Sequence, residues 1–220
     1  MIFILVSDAE EMDIPIMQAL EKQEKRAFLV GQEKFLESVE ELFSHYANEP
    51  IQVIWGVENI KVKDYFESPH MLASSQALHR RTTTFFEQIQ KLMNLALYHA
   101  CAVSIWTLSY DYTMNMLLDA PCNPISGLSR ANLIKCISRE SGRRKLAANH
   151  IYLQPSHSDK HKADLKHQKV RASLWKKGLK LLSKEELAAS VVGVFIHTPS
   201  TLSGNVFEIS GSGTNIGVRV

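Results

Sequence analysis

Glycine is missing from the start of this chain: of its ten glycines, the first is Gly31. A glycine-lined turn that cradles phosphate therefore cannot follow the opening apolar run "MIFILVS". Cysteine is scarce as well. Cys101, Cys122 and Cys136 are odd in number, far apart and without a Cys-x-x-Cys pair. That excludes a disulfide framework and a zinc knuckle, and a reducing, cytoplasmic setting is expected. No lysine or arginine precedes the apolar run and carboxylates follow it directly in "SDAEEMD", unlike a secretory signal. No apolar stretch is long enough to cross a bilayer. Internal repeats and low-complexity tracts are absent too.

What is there is a chain of 220 residues, 45% hydrophobic. That suffices for one full core, and residues 1–220 are expected to form a single domain. The net charge is only +2, but it is uneven. Residues 1–70 hold 14 Asp and Glu against 6 Lys and Arg, whereas residues 130–184 hold 15 Lys and Arg against 3 Asp and Glu. A solvated basic face accounts for this polarity more simply than a surface that steers an acidic partner.

The continuous apolar run "MIFILVS" suits a strand buried on both faces of a parallel sheet. Ile14, Ile16, Met17 and Leu20 suit a following helix, with Asp13 placed to cap it and Pro15 in its first turn. "AFLVG" and "PIQVIWG" read as the second and third strands, with an amphipathic helix from Phe35 to Tyr46 between them. This alternation is the pattern of a doubly wound α/β fold. "TTTFFEQIQKLMNLALYHA" is a long helix and "CAVSIWTLS" a further buried strand. "NPISGLSRANLIKCISRE" follows as a helix with Leu128, Ala131, Leu133, Ile134 and Ile137 at its apolar positions, and "NHIYLQP" as a sixth strand. The polar "SHSDKHKADLKHQK" reads as an exposed loop or small helix. "SKEELAASVVGVFI" reads as a helix opened by a Ser183–Glu186 capping box, and "GNVFEIS" as the last strand.

This order of elements and the closing run "SKEELAASVVGVFIHTPSTLSGNVFEISGS", with Ser203-Gly204 and Gly211 at its end, resemble the short-chain dehydrogenase/reductase family, nearest in style to 3-ketoacyl-acyl-carrier-protein reductases. The resemblance implies an α/β, doubly wound, Rossmann-like three-layer sandwich with a mostly parallel sheet. It also implies a catalytic Tyr-x-x-x-Lys, in which the ammonium lowers the phenol's pKa. Matching "SRANLI" to that helix places Arg130 at the lysine and Ser126 at the tyrosine. None of the six tyrosines has a lysine four residues on. Thr107, or alternatively Ser109, falls at the family's catalytic serine, and Arg81 aligns loosely with its asparagine. The family's glycine-rich first turn is replaced by "SDAEEMDIP", in which Ser7, Asp8, Glu10, Glu11 and Asp13 form a degenerate loop whose carboxylates would repel a pyrophosphate. Gly56 and Asn59 are faint echoes of the turn after the family's fourth strand.

Loss of both sites inside a kept frame points to a catalytically inactive homologue with no cofactor expected. By resemblance it would act as a non-catalytic subunit, pairing with an active reductase of the same fold, or with itself, as a dimer or tetramer. The contacts expected for it are Phe85, Phe86, Leu97, Leu133, Ile137, Arg139, Arg143 and Arg144 on the long central helices. Arg139, Arg143, Arg144 and Lys145 could hold an acidic carrier protein, or simply end a helix. The alternative is a divergent NAD(P)-dependent oxidoreductase in which Thr107 or Ser109 orients substrate and Tyr112, near Tyr110, supplies the acid. A third reading is a regulatory protein that reuses the cleft for a non-phosphorylated ligand. His157, His161 and His167 lack a carboxylate or thiolate to complete a metal set and sit among lysines, so no metal is expected. With no aromatic residues among the basic ones and an isoelectric point of about 8.4, nucleic acid is not expected either, nor is a membrane.

Overall fold

The computed structural model describes residues 1–7, 12–57, 68–110, 122–141, 145–154, 182–210 and 213–217. Its strands are β1 (Ile2–Val6), β2 (Arg26–Val30), β3 (Ile51–Trp55), β4 (Val103–Tyr110), β5 (Leu146–Leu153), β6 (Val206–Ser210) and β7 (Gly213–Gly217). The helices are α1 (Asp13–Lys22), α2 (Phe35–His45), α3 (Ser68–Tyr98), α4 (Cys122–Ser141) and α5 (Lys184–His197). The strands form one sheet in the order β2-β1-β3-β4-β5-β6-β7, parallel except for β7, which runs antiparallel to β6.

Strands β1 and β3 are buried along their whole length because helices cover both faces, as continuous apolar runs require. Alternation sends Ile2, Ile4 and Val6 to a first core layer with Phe35, Phe43, Phe85, Leu92 and Ile134, from α2, α3 and α4. It sends Phe3 and Leu5 to a second layer with Ile16 and Leu20 of α1 and Val191 and Phe195 of α5. The result is the expected three-layer α/β sandwich. Among the described residues, no helix is long and apolar enough to cross a membrane.

The differences from the sequence reading have physical causes. Among the described residues, only β2 lies outside β1, where the dinucleotide-fold order 3-2-1-4-5-6 has two strands. "NHIYLQP" is therefore the fifth strand and not the sixth. "GNVFEIS" is not the last strand, because β7 pairs with it. Helix α3 starts at Ser68, well before Thr82. Asp13 does not cap α1: Met12 occupies the cap position, and Asp13 is the first helical residue with its side chain buried. The Ser183–Glu186 capping box is present, with Glu186 N–H donating to Ser183 Oγ at 3.1 Å and Ser183 N–H donating to the Glu186 carboxylate at 2.8 Å.

Candidate functional site

In an open α/β sheet, ligands sit beyond the carboxyl ends of the strands at the point where strand order reverses. Here that point lies between β1 and β3, and a cleft of about 1060 Å³ opens there. Ser7 after β1, Trp55 at the end of β3, the turn of Gly31 to Lys34 after β2, and α3 line it together with Arg130 of α4. Among the described residues, Lys34, Arg80, Arg81 and Arg130 bring four cations to this lining, against the carboxylate of Glu33.

The carboxylate field expected at the first turn is corrected at Asp13. That side chain is 1% exposed and accepts a hydrogen bond from Ser7 Oγ, so it points into the protein and not toward a ligand. Gly56 is explained by the same pair: a Cβ there would come within 2.9 Å of Asp13 Oδ1 and 3.2 Å of Ser7 Oγ. Asp8, Glu10, Glu11 and Asn59 lie outside the described residues.

Arg130, in the lysine's place, is 4% exposed. Its Nη1 donates to the carbonyls of Gly56 at 3.0 Å and Leu108 at 3.3 Å, and its guanidinium carbon stands 4.8 Å from the centre of the Phe85 ring. One side chain thus clamps the ends of β3 and β4 to α3. A guanidinium stays protonated at any working pH and relays no proton. Ser126, one turn before it, is buried and far less acidic than a phenol.

The serine position is equally engaged. Register sets Thr107 beside His150 and Ser109 beside Tyr152. His150 Nδ1 lies 2.7 Å from Thr107 Oγ1, and its Nε2 lies 2.9 Å from Ser109 Oγ. Burial, and then the positive charge of Arg130, hold its pKa down to about 3. The ring is therefore neutral, donating to one hydroxyl and accepting from the other. A serine–histidine pair invites comparison with a hydrolase, but the third member is a hydroxyl and not the carboxylate that would stabilise an imidazolium. The Tyr152 ring packs edge-on against His150 at 4.4 Å. Helix α4 presses onto this cluster at Gly127, where a Cβ would meet Ser109 Oγ at 2.8 Å. His150 was missed in the sequence. The signal was a histidine inside a buried strand, opposite a neighbour with hydroxyls at alternate positions.

The expected partner contacts divide. Phe85 and Ile137 turn inward: Phe85 packs edge-on against Trp55 at 5.7 Å, and Ile137 joins the first core layer, so neither offers surface to another chain. Leu133 is half-buried against the same layer. Phe86 is 51% exposed and Leu97 43%; they stand about three helical turns apart on one stripe of α3. Tyr98, next to Leu97, is exposed too, and Leu128 and Arg139 are exposed on α4. Arg143, Arg144, Tyr112, Gly211, His157, His161 and His167 lie outside the described residues. Among the described residues, no group of His, Cys, Asp and Glu could hold a metal ion.

No family model matches the sequence, and no curated protein does. Solved structures match its shape. A short-chain dehydrogenase from Bacillus anthracis superposes with a TM-score of 0.71 at 11% identity, over 96% of this chain and 95% of that one. A 3-oxoacyl-reductase from Bacillus thuringiensis gives 0.61 at 13% identity, over 94% and 95%. A small-chain dehydrogenase in complex with NADPH gives 0.59 at 12% identity, over 96% of both chains. The chain therefore has the fold of the short-chain dehydrogenases/reductases.

Proposed function

We propose that this protein is a non-catalytic homologue of the short-chain dehydrogenases/reductases, working as a structural subunit beside an active reductase of the same fold. The observation that carries this reading is Arg130. The side chain standing where the catalytic lysine would activate a phenol is instead bound to two strand-end carbonyls and an aromatic ring. Its place is structural, and the helix that carries it is kept for packing. Phe86, Leu97 and Leu128 supply apolar surface on α3 and α4 for a partner.

Affinity purification from the native host tests the pairing. An active reductase recovered with the chain is the expected result, and recovery of self-associated chains alone would overturn it. The purified chain should give no steady NADPH oxidation with a ketoacyl thioester.

A second reading, a divergent NAD(P)-dependent oxidoreductase, is favoured by the cations of the cleft. A nicotinamide cofactor supplies the hydride when bound; Lys34, Arg80, Arg81 and Arg130 would meet its phosphates. Calorimetric titration with NADPH and NADH separates the readings. Micromolar binding together with turnover supports the oxidoreductase, and absence of both supports the structural subunit.

A further inference from the structure

The sheet is open at its β2 edge. Among the described residues, β2 pairs with β1 and with no second neighbour, at the place where the dinucleotide-fold order carries a further strand. Ser7 N–H donates to the Val30 carbonyl at 3.0 Å, so Val30 turns its backbone groups toward β1. Alternation along the strand then turns the N–H and C=O of Ala27 and Leu29 outward.

Natural sheets guard such an edge with a charge, a proline or a bulge. The run Ala27-Phe28-Leu29-Val30-Gly31 contains neither charge nor proline, and β2 keeps an unbroken register against β1. Arg26, the charge nearest the run, is drawn toward Glu49: its Nη1 stands 3.7 Å from that carboxylate, which also holds the Met1 amino group at 2.9 Å. Leu29 is 50% exposed, an apolar side chain in the middle of an unguarded edge.

We infer that β2 pairs antiparallel with β2 of a second copy of this chain, about a two-fold axis at Leu29. The sequence of the edge is self-complementary in that register. Leu29 falls opposite Leu29 of the second copy, where two outward N–H groups meet two outward carbonyls. Ala27 falls opposite Gly31 of the second copy, and Gly31 is extended, with φ −69° and ψ 148°, so it continues the line of the strand. The same register carries Lys25 of each copy toward Glu33 of the other, and Glu24 toward Lys34. The charges that flank the apolar run are thus matched and not opposed. Leu29 also lines the cleft; Leu29 of the second copy stands beside it on the same face and extends that wall. The pairing uses the sheet edge and not the exposed stripe of α3, so it goes beyond the pairing with a reductase and does not depend on it.

Sedimentation velocity of the full chain from about 1 to about 200 µM tests this edge, and a monomer–dimer equilibrium with a dissociation constant of ~10 µM is expected. Leu29→Lys sets like charges opposite each other and should leave a monomer throughout, with the thermal midpoint nearly unchanged because the side chain is half exposed. Lys25→Glu should weaken the dimer about tenfold, and Lys25→Glu combined with Glu33→Lys should restore it. Rescue by the charge swap is a result that a folding defect could not give. A chain that stays monomeric over the whole range overturns the proposal. So does a dimer that survives Leu29→Lys, or a charge-swapped variant that dimerises no more tightly than Lys25→Glu alone.

Discussion

Acid should expose the buried histidine. In the unfolded chain His150 binds a proton near pH 6.5, whereas in the folded chain it resists protonation down to about pH 3. Between those values the unfolded state holds the extra proton, so stability is complete above pH 6.5 and is lost as pH falls toward 3. At roughly 1.4 kcal/mol per unit of pKa difference, the loss is about 2 kcal/mol at pH 5 and about 3 kcal/mol at pH 4. Other groups titrate in the same range, so the informative quantity is a difference between two proteins. His150→Gln keeps one donor and one acceptor for Thr107 and Ser109 but carries no titrating ring. Urea unfolding of both, followed by tryptophan fluorescence from pH 8 to pH 4, should show the wild type falling more steeply, with the gap between the curves closing by about 2 kcal/mol on reaching pH 5. Parallel curves would refute the reasoning, since they would mean that the ring accepts a proton in the folded protein or that the strand opens to admit one.

Four further outcomes are expected. Arg130→Met, which removes the links from α4 to Gly56, Leu108 and Phe85, should cost roughly 3 kcal/mol in chemical denaturation, and Arg130→Lys should recover only part because an ammonium lacks the planar guanidinium that stands over the Phe85 ring. Gly127→Ala should cost about 2 kcal/mol, since its methyl would press on Ser109 Oγ at 2.8 Å; the double variant with Ser109→Ala should cost less than the sum, read as a coupling in the same assay. Ser183→Ala breaks the reciprocal cap of α5 and should lower stability by about 1 kcal/mol, with helix content of the folded state unchanged by circular dichroism. Phe86→Glu combined with Leu97→Glu should abolish co-purification of a partner reductase while leaving the thermal midpoint of the isolated chain nearly unchanged, because both side chains are exposed.

The sheet was readable where the chain is buried on both sides. "MIFILVS", "PIQVIWG" and "CAVSIWTLS" are predominantly apolar, with Gln52, Ser104, Thr107 and Ser109 as their polar interruptions, because β1, β3 and β4 lie between helices on both faces. Strand β7, "GTNIG", carries no such signal; it is a strand because β6 offers it an antiparallel edge. The start of α3 was hidden for a related reason. "SPHMLASSQALHRR" has no clean apolar period, and its described side chains between Gln76 and Arg81 face solvent or are half-buried. Within the site, the positions of Ser126 and Arg130 follow from the spacing of one helix, so one sequence suffices to place them. The His150 cluster depends on the register of β4 against β5, and the inward turn of Asp13 depends on how closely Gly56 passes it. Those are facts about neighbours far apart in the chain.

The two faces of the sheet are completed at different moments of synthesis. Everything that covers the first face, from α2 through α4, has been made by Ser141, and β1, β2, β3 and β4 can already pair. Among the described residues, the second face has only α1 until α5 arrives with Val191 and Phe195. Of the described residues, a nascent chain that has emerged as far as Gln154 therefore displays Phe3, Leu5, Ile54, Trp106 and Ile151 beside the one short helix α1. At a ribosomal pace of 5–20 residues per second, that apolar wall stands open for roughly two to eight seconds before Phe195 can close it. Demand for a holdase chaperone should concentrate in that interval, and a chain cut just before Lys184 should be aggregation-prone although its first face is whole.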